Sequence, residues 1–444
     1  MKKLIDIFPV FFQNILISFY NSYLYRVRHS GKYELYKRYY TFFQAKSGGE
    51  VALEAKQRLY SFLEKANTQS NWYKNKGLNI SAYPVLEKNT VIENLLEIAT
   101  ISEKQAVISL TGGTTGASMK VFYTKENTQE RHALLDFFRS QYGYKLGNKC
   151  AWFSGKNIVT EKNLRKGICY RDDYINKIRF FSTFHITENN FDVYWAAFCK
   201  FAPEFIVGFP SSVYELCSMA AARGLKLENT VKAFFPTAET LLPIHREVIG
   251  SVLGCKIADQ YASSEGAPFI LECPQGGLHI HPLTGVFEVV DENMQPAREG
   301  EILVTSFTTE GTPLIRYRIG DRIKLAPEDA KCACGSCFPL VEKIEGRSTD
   351  YILSPTHGKV NLGNISNSTK GVEGIIQFQI IQKEQDLVEV LVVPTEAFIL
   401  KEQHKFIAAL TERLGEKMQI NLRVVNEIPK EKSGKFRIVK NLLK

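Results

Sequence analysis

The stretch "SLTGGTTGAS", residues 109–118, sets three glycines among serine and threonine residues. It follows the apolar "AVI" at 106–108 and precedes the strand-like "KVFYT" at 120–124. Two neighbouring strands joined by so flexible and polar a turn point to phosphate, because glycine lets backbone N–H groups converge and threonine hydroxyls add donors. The loop is not a Walker sequence, since no Gly-Lys-Ser/Thr follows at the required spacing. A glycine-rich hairpin without a ligand is the other reading of this stretch alone.

Working outward, 444 residues exceed one small core, so a large domain with a smaller companion is expected. An apolar share of 44% is that of a folded protein and excludes a chain dominated by disorder. The formal charge of +9 is spread without a dense basic block, which suits anionic small substrates, nucleic acid or a membrane surface equally. Nine cysteines stand singly apart from "CACGSC" at 332–337. That odd, irregular set argues against a secreted disulfide framework and for a cytoplasmic protein.

The opening "MKKLIDIFPVFFQNILISFYNSYLYRV" imitates a signal or anchor. Asp6, Pro9, Gln13 and Asn14 interrupt it, no small-residue cleavage site follows, and no stretch approaches ~20 apolar residues. Phe12, Leu16, Phe19 and Tyr23 suit one face of a helix, expected to dock on the protein's own core. Interfacial membrane contact, peripheral to the inner membrane, is the alternative.

Residues 1–75 read as a helical segment packed on the large domain. Residues 76–347 form the large domain, and from the glycine-rich loop to about residue 260 short apolar runs alternate with amphipathic stretches, among them "CAWFSG", "EFIVGFPSSVYELCSMAAARG" and "AFFPTAET". This pattern favours an α/β sheet. From 277 to 325 the texture turns to antiparallel strands and polar turns, a β-rich subdomain. Residues 348–444 have βαβ-like patterning and are long enough for a small α+β domain.

Four further motifs carry chemistry. "DQYASSEG" (259–266) puts Tyr261, Ser263, Ser264 and Glu265 after a strand-like run. A carboxylate there can hold Mg²⁺ against phosphate and the ring can cover a purine, although a solvated loop reads the same way. "RYRIGDR" (316–322) offers Asp321 to ribose hydroxyls, or only a surface strand of ion pairs. "EGRSTDY" supplies Arg347, and "SGKFR" sets Lys435 on a Ser-Gly turn.

In this order the five motifs resemble those of the adenylate-forming enzymes, nearest to the phenylacetate–CoA ligase and coenzyme F390 synthetase branch with the CapK-like proteins of polysaccharide biosynthesis. "PVFFQN", "VGFPSSVYEL" and "TAETLLP" extend the resemblance over nearly the whole chain. The resemblance implies a large domain that binds ATP and a carboxylic acid, and a mobile C-terminal lid over residues 348–444. Thr111, Gly112, Gly113, Thr114, Thr115 and Gly116 would hold the β- and γ-phosphates, and Glu265 would hold Mg²⁺. Tyr261 would lie near adenine beside Ser263 and Ser264, with Ala238 and Glu239 lining the base pocket. Asp321 would bind ribose with Arg347 near it, and Lys435 would reach the carboxylate and α-phosphate. Lys435, Glu265 and Thr111 would be the catalytic groups, with the hinge near Thr349 and Asp350.

Two departures stand out. Ser348 and Thr349 precede a single Asp350 where the family more often has an aspartate pair, and Ala117, Ser118 and Met119 precede Lys120 where many relatives have Lys-Pro. The acid pocket is expected from parts of "WFSG", "VGFPSS" and "TAET". The acceptor implied is the thiol of coenzyme A or, in a sugar-polymer pathway, an amine that joins an amino acid or uronic acid through an amide.

"ECPQGGLHIH" (272–281) and "CACGSC" gather soft ligands on two segments flanked by strand-like sequence. Such a set suits a structural Zn²⁺, which the resemblance also implies. Cys273, His279, Cys332 and Cys334 are the expected ligands, with His281 and Cys337 in reserve. Free buried cysteines are the plain alternative. A basic protein with a zinc ribbon also allows a nucleic-acid-binding module, but the aromatics are not interleaved with a basic patch, so no nucleic-acid partner is expected. A non-catalytic ATP-binding scaffold is a third reading, and the presence of Lys435 and Glu265 argues against it.

Overall fold

The alternating runs between residues 147 and 257 build a six-stranded sheet in the order Tyr170–Asp173, Ile178–Ser182, Cys150–Ser154, Phe205–Gly208, Ala233–Pro236, Lys256–Ile257. A computed structural model describes residues 8–111, 119–155, 158–347, 350–431 and 433–443. Gly112, Gly113, Thr114, Thr115 and Gly116, and the expected hinge residue Thr349, lie outside the described residues. All neighbours in the sheet are parallel except the first pair.

Parallel pairing demands long crossovers, and helices Phe191–Phe201, Pro210–Ala222 and Pro243–Leu253 supply them. Pro210 and Pro243 occupy first helical turns, where no N–H is needed. Gly254, at φ 60°, ends the last of these helices. Phe205–Gly208 and Ala233–Pro236 are buried at every residue, as strands covered on both faces must be.

By its contacts the chain divides into two units, and this sheet belongs to the first, formed by Met1–Tyr20, Gly147–Ile257 and Glu345–Lys444. Its C-terminal part is α+β. Strands Gln419–Val424, Leu387–Pro394, Ile375–Glu384 and Val439–Asn441 form one sheet, and helix Leu400–Leu414 shares a core of Ile380, Val390, Phe406 and Leu410.

The second unit, Asn21–Leu146 with Ala258–Ile344, is built on a seven-stranded sheet running from Gly285–Val290 to Gln260–Tyr261, with hairpin-type antiparallel pairs at both ends. Strands Val107–Leu110 and Lys120–Tyr123 pair antiparallel, Val107 opposite Tyr123 and Leu110 opposite Lys120, so the glycine-rich loop does join two neighbouring strands. Helix Gly48–Gln69 starts on a capping box between Ser47 and Glu50. Arg58 and Tyr40 meet Glu130 of helix Lys125–Ser140 at 2.6 and 2.7 Å.

Helix Val10–Arg28 departs from expectation. Phe12, Leu16, Phe19 and Tyr23, expected to face the core, are 47–67% exposed, whereas Gln13, Asn14 and Ser18 are buried. The reason lies at the edge strand Tyr170–Asp173 and the turn after it, whose backbone needs acceptors. Asn14 Oδ1 accepts the N–H of Asp172 at 3.2 Å, and Ser18 Oγ accepts that of Tyr174 at 2.9 Å. The fully buried Arg171 donates from Nε to Gln13 Oε1 at 2.7 Å. Satisfying an edge and a buried guanidinium outweighs burying the aromatic stripe. Among the described residues no helix is long and apolar enough to cross a membrane.

Gln13→Ala is expected to lower the free energy of unfolding by about 1–3 kcal/mol, because it strips an acceptor from a buried guanidinium. Phe19→Ala is expected to stay within about 0.5 kcal/mol of the parent. Urea denaturation of both variants reads the difference directly.

Candidate functional site

The parallel register sets Phe153 beside Gly208, and Gly208 beside Pro236. The chain therefore leaves three adjacent strands at one end, through Gly155, through Phe209–Ser211 and through Thr237–Glu239. In open α/β sheets ligands bind outside the carboxyl ends of the strands. "WFSG", "VGFPSS" and "TAET" thus emerge side by side. Ala238 is exposed and held at φ 68°, a costly conformation for a residue with a Cβ.

Glu239 follows it, and the structure gives its carboxylate two backbone donors. Ser211 N–H, in the first turn of helix Pro210–Ala222, reaches Oε2 at 3.1 Å, where the helix dipole favours an anion. Phe436 N–H reaches Oε1 at 2.9 Å. Desolvation pushes the Glu239 carboxyl above its ordinary range, against the pull of these N–H groups.

Phe436 belongs to the tail that carries Lys435. Gly434 N–H bonds Glu431 O at 2.8 Å and Glu431 N–H bonds Lys435 O at 3.0 Å, closing a tight turn with Gly434 at φ 78°. This turn sits on Gly155: a methyl group at Gly155 would overlap the Ser433 carbonyl, and one at Gly434 would come within 2.5 Å of the Gly155 Cα. Both positions therefore need glycine.

Two ion pairs flank the turn. Lys430 Nζ lies 2.6 Å from Glu215 Oε2 and 2.6 Å from the Thr183 carbonyl, and both charged side chains are only 8% exposed. Burial pushes the Glu215 carboxyl up while Lys430 pulls it down. On the other side Arg437 donates to Asp350 Oδ1 from Nη2 at 2.8 Å and from Nε at 3.1 Å. Sequence reasoning missed the Lys430–Glu215 pair. The available signal was a lone carboxylate in "SSVYELCSMAA", a helix buried from Pro210 through Ala220, where a charge requires a partner.

Ala238, Glu239, Arg347 and Lys435 belong to the first unit, and Arg347 is half-buried at the end of strand Leu340–Arg347. Thr111, Tyr261, Ser263, Ser264, Glu265 and Asp321 belong to the second. There the buried Thr111 closes the mouth of the hairpin, its N–H bonding Met119 O and its Oγ1 accepting Met119 N–H, both at 3.0 Å. The hairpin is tied to the 259–266 segment, because Ser109 Oγ and Tyr123 OH both donate to Ser264 O at 3.0 and 3.1 Å. Ser263 Oγ accepts Ala267 N–H at 3.1 Å, and Arg131 donates to the carbonyls of Gly266 and Ala267. The half-buried Glu265 is thus carried on a braced turn. Tyr261 OH donates to Asp321 Oδ2 at 2.7 Å, joining two expected nucleotide-binding residues from separate motifs.

In the same unit Cys273, His279, Cys332 and Cys334 place their ligand atoms within 4.8 Å of one another. Cys273 Sγ lies 3.5 Å from Cys332 Sγ, and Cys334 Sγ 3.4 Å from His279 Nε2. A tetrahedron of Zn–S bonds has edges of about 3.8 Å, so these spacings fit that ion. His279 Nδ1 faces Phe338 O at 3.2 Å, which fixes the ring and leaves Nε2 as the ligand atom. Gly277 makes room, since a Cβ there would come within 2.5 Å of Cys332 Sγ. Of the two reserves, His281 is wedged between the rings of Tyr40 and Phe338, and Cys337 is exposed beside Lys46 O.

The fold is that of the adenylate-forming ligases. It matches 2-hydroxyisobutyryl-CoA ligase in its postadenylation state with a TM-score of 0.69 at 17% identity, covering 87% of this chain and 88% of that one. In sequence, the CapK protein of Staphylococcus aureus is 30% identical over 98% of both chains, and a family model described as the CapK C-terminal domain matches residues 352–442. The chain belongs to the CapK family. More distant relatives are the indoleacetate–lysine synthetase of Pseudomonas savastanoi, 25% identical over 56% of this chain and 61% of its own length, and the phenylacetate-coenzyme A ligase of Thermus thermophilus, 29% identical over 55% and 61%.

Lys430→Ala leaves Glu215 buried and unpaired and is expected to cost about 3–5 kcal/mol of stability. The double change Lys430→Met with Glu215→Leu removes both charges and is expected to recover most of that loss. Chemical denaturation of the two variants checks the pair.

Proposed function

We propose that the protein activates a carboxylic acid with ATP, forming an acyl-adenylate and pyrophosphate, and then transfers the acyl group to an amine of a sugar or polysaccharide precursor. The observation that carries the reading is the turn of Lys435, seated on Gly155 at the carboxyl ends of the parallel strands in a chain related to CapK over its whole length. The amide product is supported by the partial relation to a synthetase that joins indoleacetate to lysine. The partial relation to a phenylacetate-coenzyme A ligase favours a second reading, in which the acceptor is the thiol of coenzyme A and the product a thioester.

In this reading residues 76–347 bind ATP and the acid, residues 1–75 pack on them, and residues 348–444 act as a lid hinged near Thr349 and Asp350. Lys435 holds its ammonium against the carboxylate and α-phosphate, offsetting the charge that builds as the carboxylate oxygen bonds to phosphorus and pyrophosphate leaves. Thr111 and Gly112, Gly113, Thr114, Thr115 and Gly116 take the phosphates. Asp321 accepts ribose hydroxyls, and its hydrogen bond from Tyr261 keeps the aromatic ring beside the same nucleotide. Ser263 and Ser264 shape that segment, Ala238 and Glu239 border the base, and Arg347 adds positive charge. Glu265 would hold Mg²⁺, which when bound neutralises phosphate charge. The lid shields the mixed anhydride from water. All of this takes place in the cytoplasm.

Cys273, His279, Cys332 and Cys334 hold a structural Zn²⁺ in the same proposal. Four protein ligands leave it no open position and no part in the reaction. Metal analysis of the purified protein is expected to find zinc near one equivalent, lost in Cys334→Ala together with a lower thermal midpoint. A full zinc complement in that variant contradicts the assignment.

The functional test is a panel of aryl acids, fatty acids, amino acids and uronic acids with Mg·ATP, using hydroxylamine to trap activated acyl groups as hydroxamates. Hydroxamate is expected with one class of acid and is expected to fall about 10²–10³-fold in Lys435→Ala. Replacing hydroxylamine by coenzyme A or by amino sugars then separates thioester from amide. Absence of ATP binding by the intact protein contradicts both readings.

A further inference from the structure

Helix Val10–Arg28 turns its polar side inward and its aromatic side out. From Phe8 to Tyr25 the sequence holds no charged residue. Phe8, Phe11, Phe12, Leu16, Phe19, Tyr20 and Tyr23 are all exposed. The stripe continues onto the neighbouring turn, where Tyr174 and Ile175 are also exposed and the Tyr174 ring lies 6.4 Å from that of Phe11. Scattered apolar residues on a surface need no explanation, but a contiguous stripe does. Gln13, Asn14 and Ser18 are already bonded to the protein, so the helix cannot roll to bury the stripe without breaking those bonds.

We propose that this face docks on the surface of an anionic phospholipid bilayer, with the helix lying in the interface plane. The helix is about 28 Å long by its rise per residue. Its inner side is bonded to the protein, so it presents one face to the lipid and does not span it. Phenylalanine, tyrosine and leucine are residues that settle at the boundary of headgroups and acyl chains, where ring edges keep contact with water.

Charge selects the occupant. The helix has no acidic residue, its last turn carries Arg26 and Arg28, and the exposed Lys177 ends the adjoining turn on a chain of net charge +9. A second copy of the chain presents the same face, which holds no acidic residue to pair with these cations, whereas anionic headgroups supply the opposite charge.

The test is flotation of the full-length protein with vesicles of phosphatidylcholine alone or mixed with phosphatidylglycerol, at low and high salt. The protein is expected to float with the anionic vesicles and to partition about tenfold less onto neutral ones or at high salt. The double variant Phe12→Ser with Phe19→Ser, at two exposed positions, is expected to lose about tenfold in partition with an unchanged circular dichroism spectrum and urea midpoint. Arg26→Glu is expected to weaken binding to anionic vesicles only. Failure of the parent to float with either vesicle overturns the proposal. So does equal flotation of the serine variant, or a dimer in sedimentation equilibrium that the serine variant splits, which would make a second copy the occupant.

Discussion

Parallel register is the constraint on which the first unit's chemistry depends. Because Cys150–Ser154, Phe205–Gly208 and Ala233–Pro236 run side by side in the same direction, three loops far apart in sequence leave the sheet at one end. Glycine at 155 leaves a space at that end, and the Ser433–Gly434 turn fills it. The backbone at Lys435 then has its position set by the packing of this turn and by the bond from Glu431 N–H to Lys435 O. Glu239 ties the same tail to the first turn of helix Pro210–Ala222 through two backbone N–H groups.

Charge fixes what packing begins. Lys430 with Glu215 on one side of the turn and Arg437 with Asp350 on the other form brackets around Lys435. A buried pair of this kind adds little net stability over an apolar pair, but it penalises any arrangement in which one partner is buried alone. The pair therefore acts on specificity of the tail's seat more than on the stability of the fold. Asp350, expected only as a hinge residue, becomes part of this bracket.

Much of this was legible in the sequence because the decisive signals were local. The glycine-rich stretch between two strand-like runs, the apolar strands covered on both faces, and the Cys/His spacing all depend on short segments, and the four thiol and imidazole groups expected together are found together. What escaped was non-local. The Tyr261–Asp321 bond, the Glu215 partner and the use of the Glu239 carboxylate depend on which segments the topology brings into contact. Helix Val10–Arg28 shows the limit of periodicity: its spacing gave the apolar face correctly, but the demand of an edge strand and of Arg171 for acceptors decided which face was buried.

The most direct measurement of the central claim is exchange of isotopically labelled pyrophosphate into ATP, which reports reversible adenylation without reference to any acceptor. Exchange is expected only when a suitable carboxylic acid is present, with a drop of about 10²–10³-fold in Lys435→Ala while the fold stays intact. Exchange that proceeds without acid, or at the parent rate in Lys435→Ala, would contradict that claim.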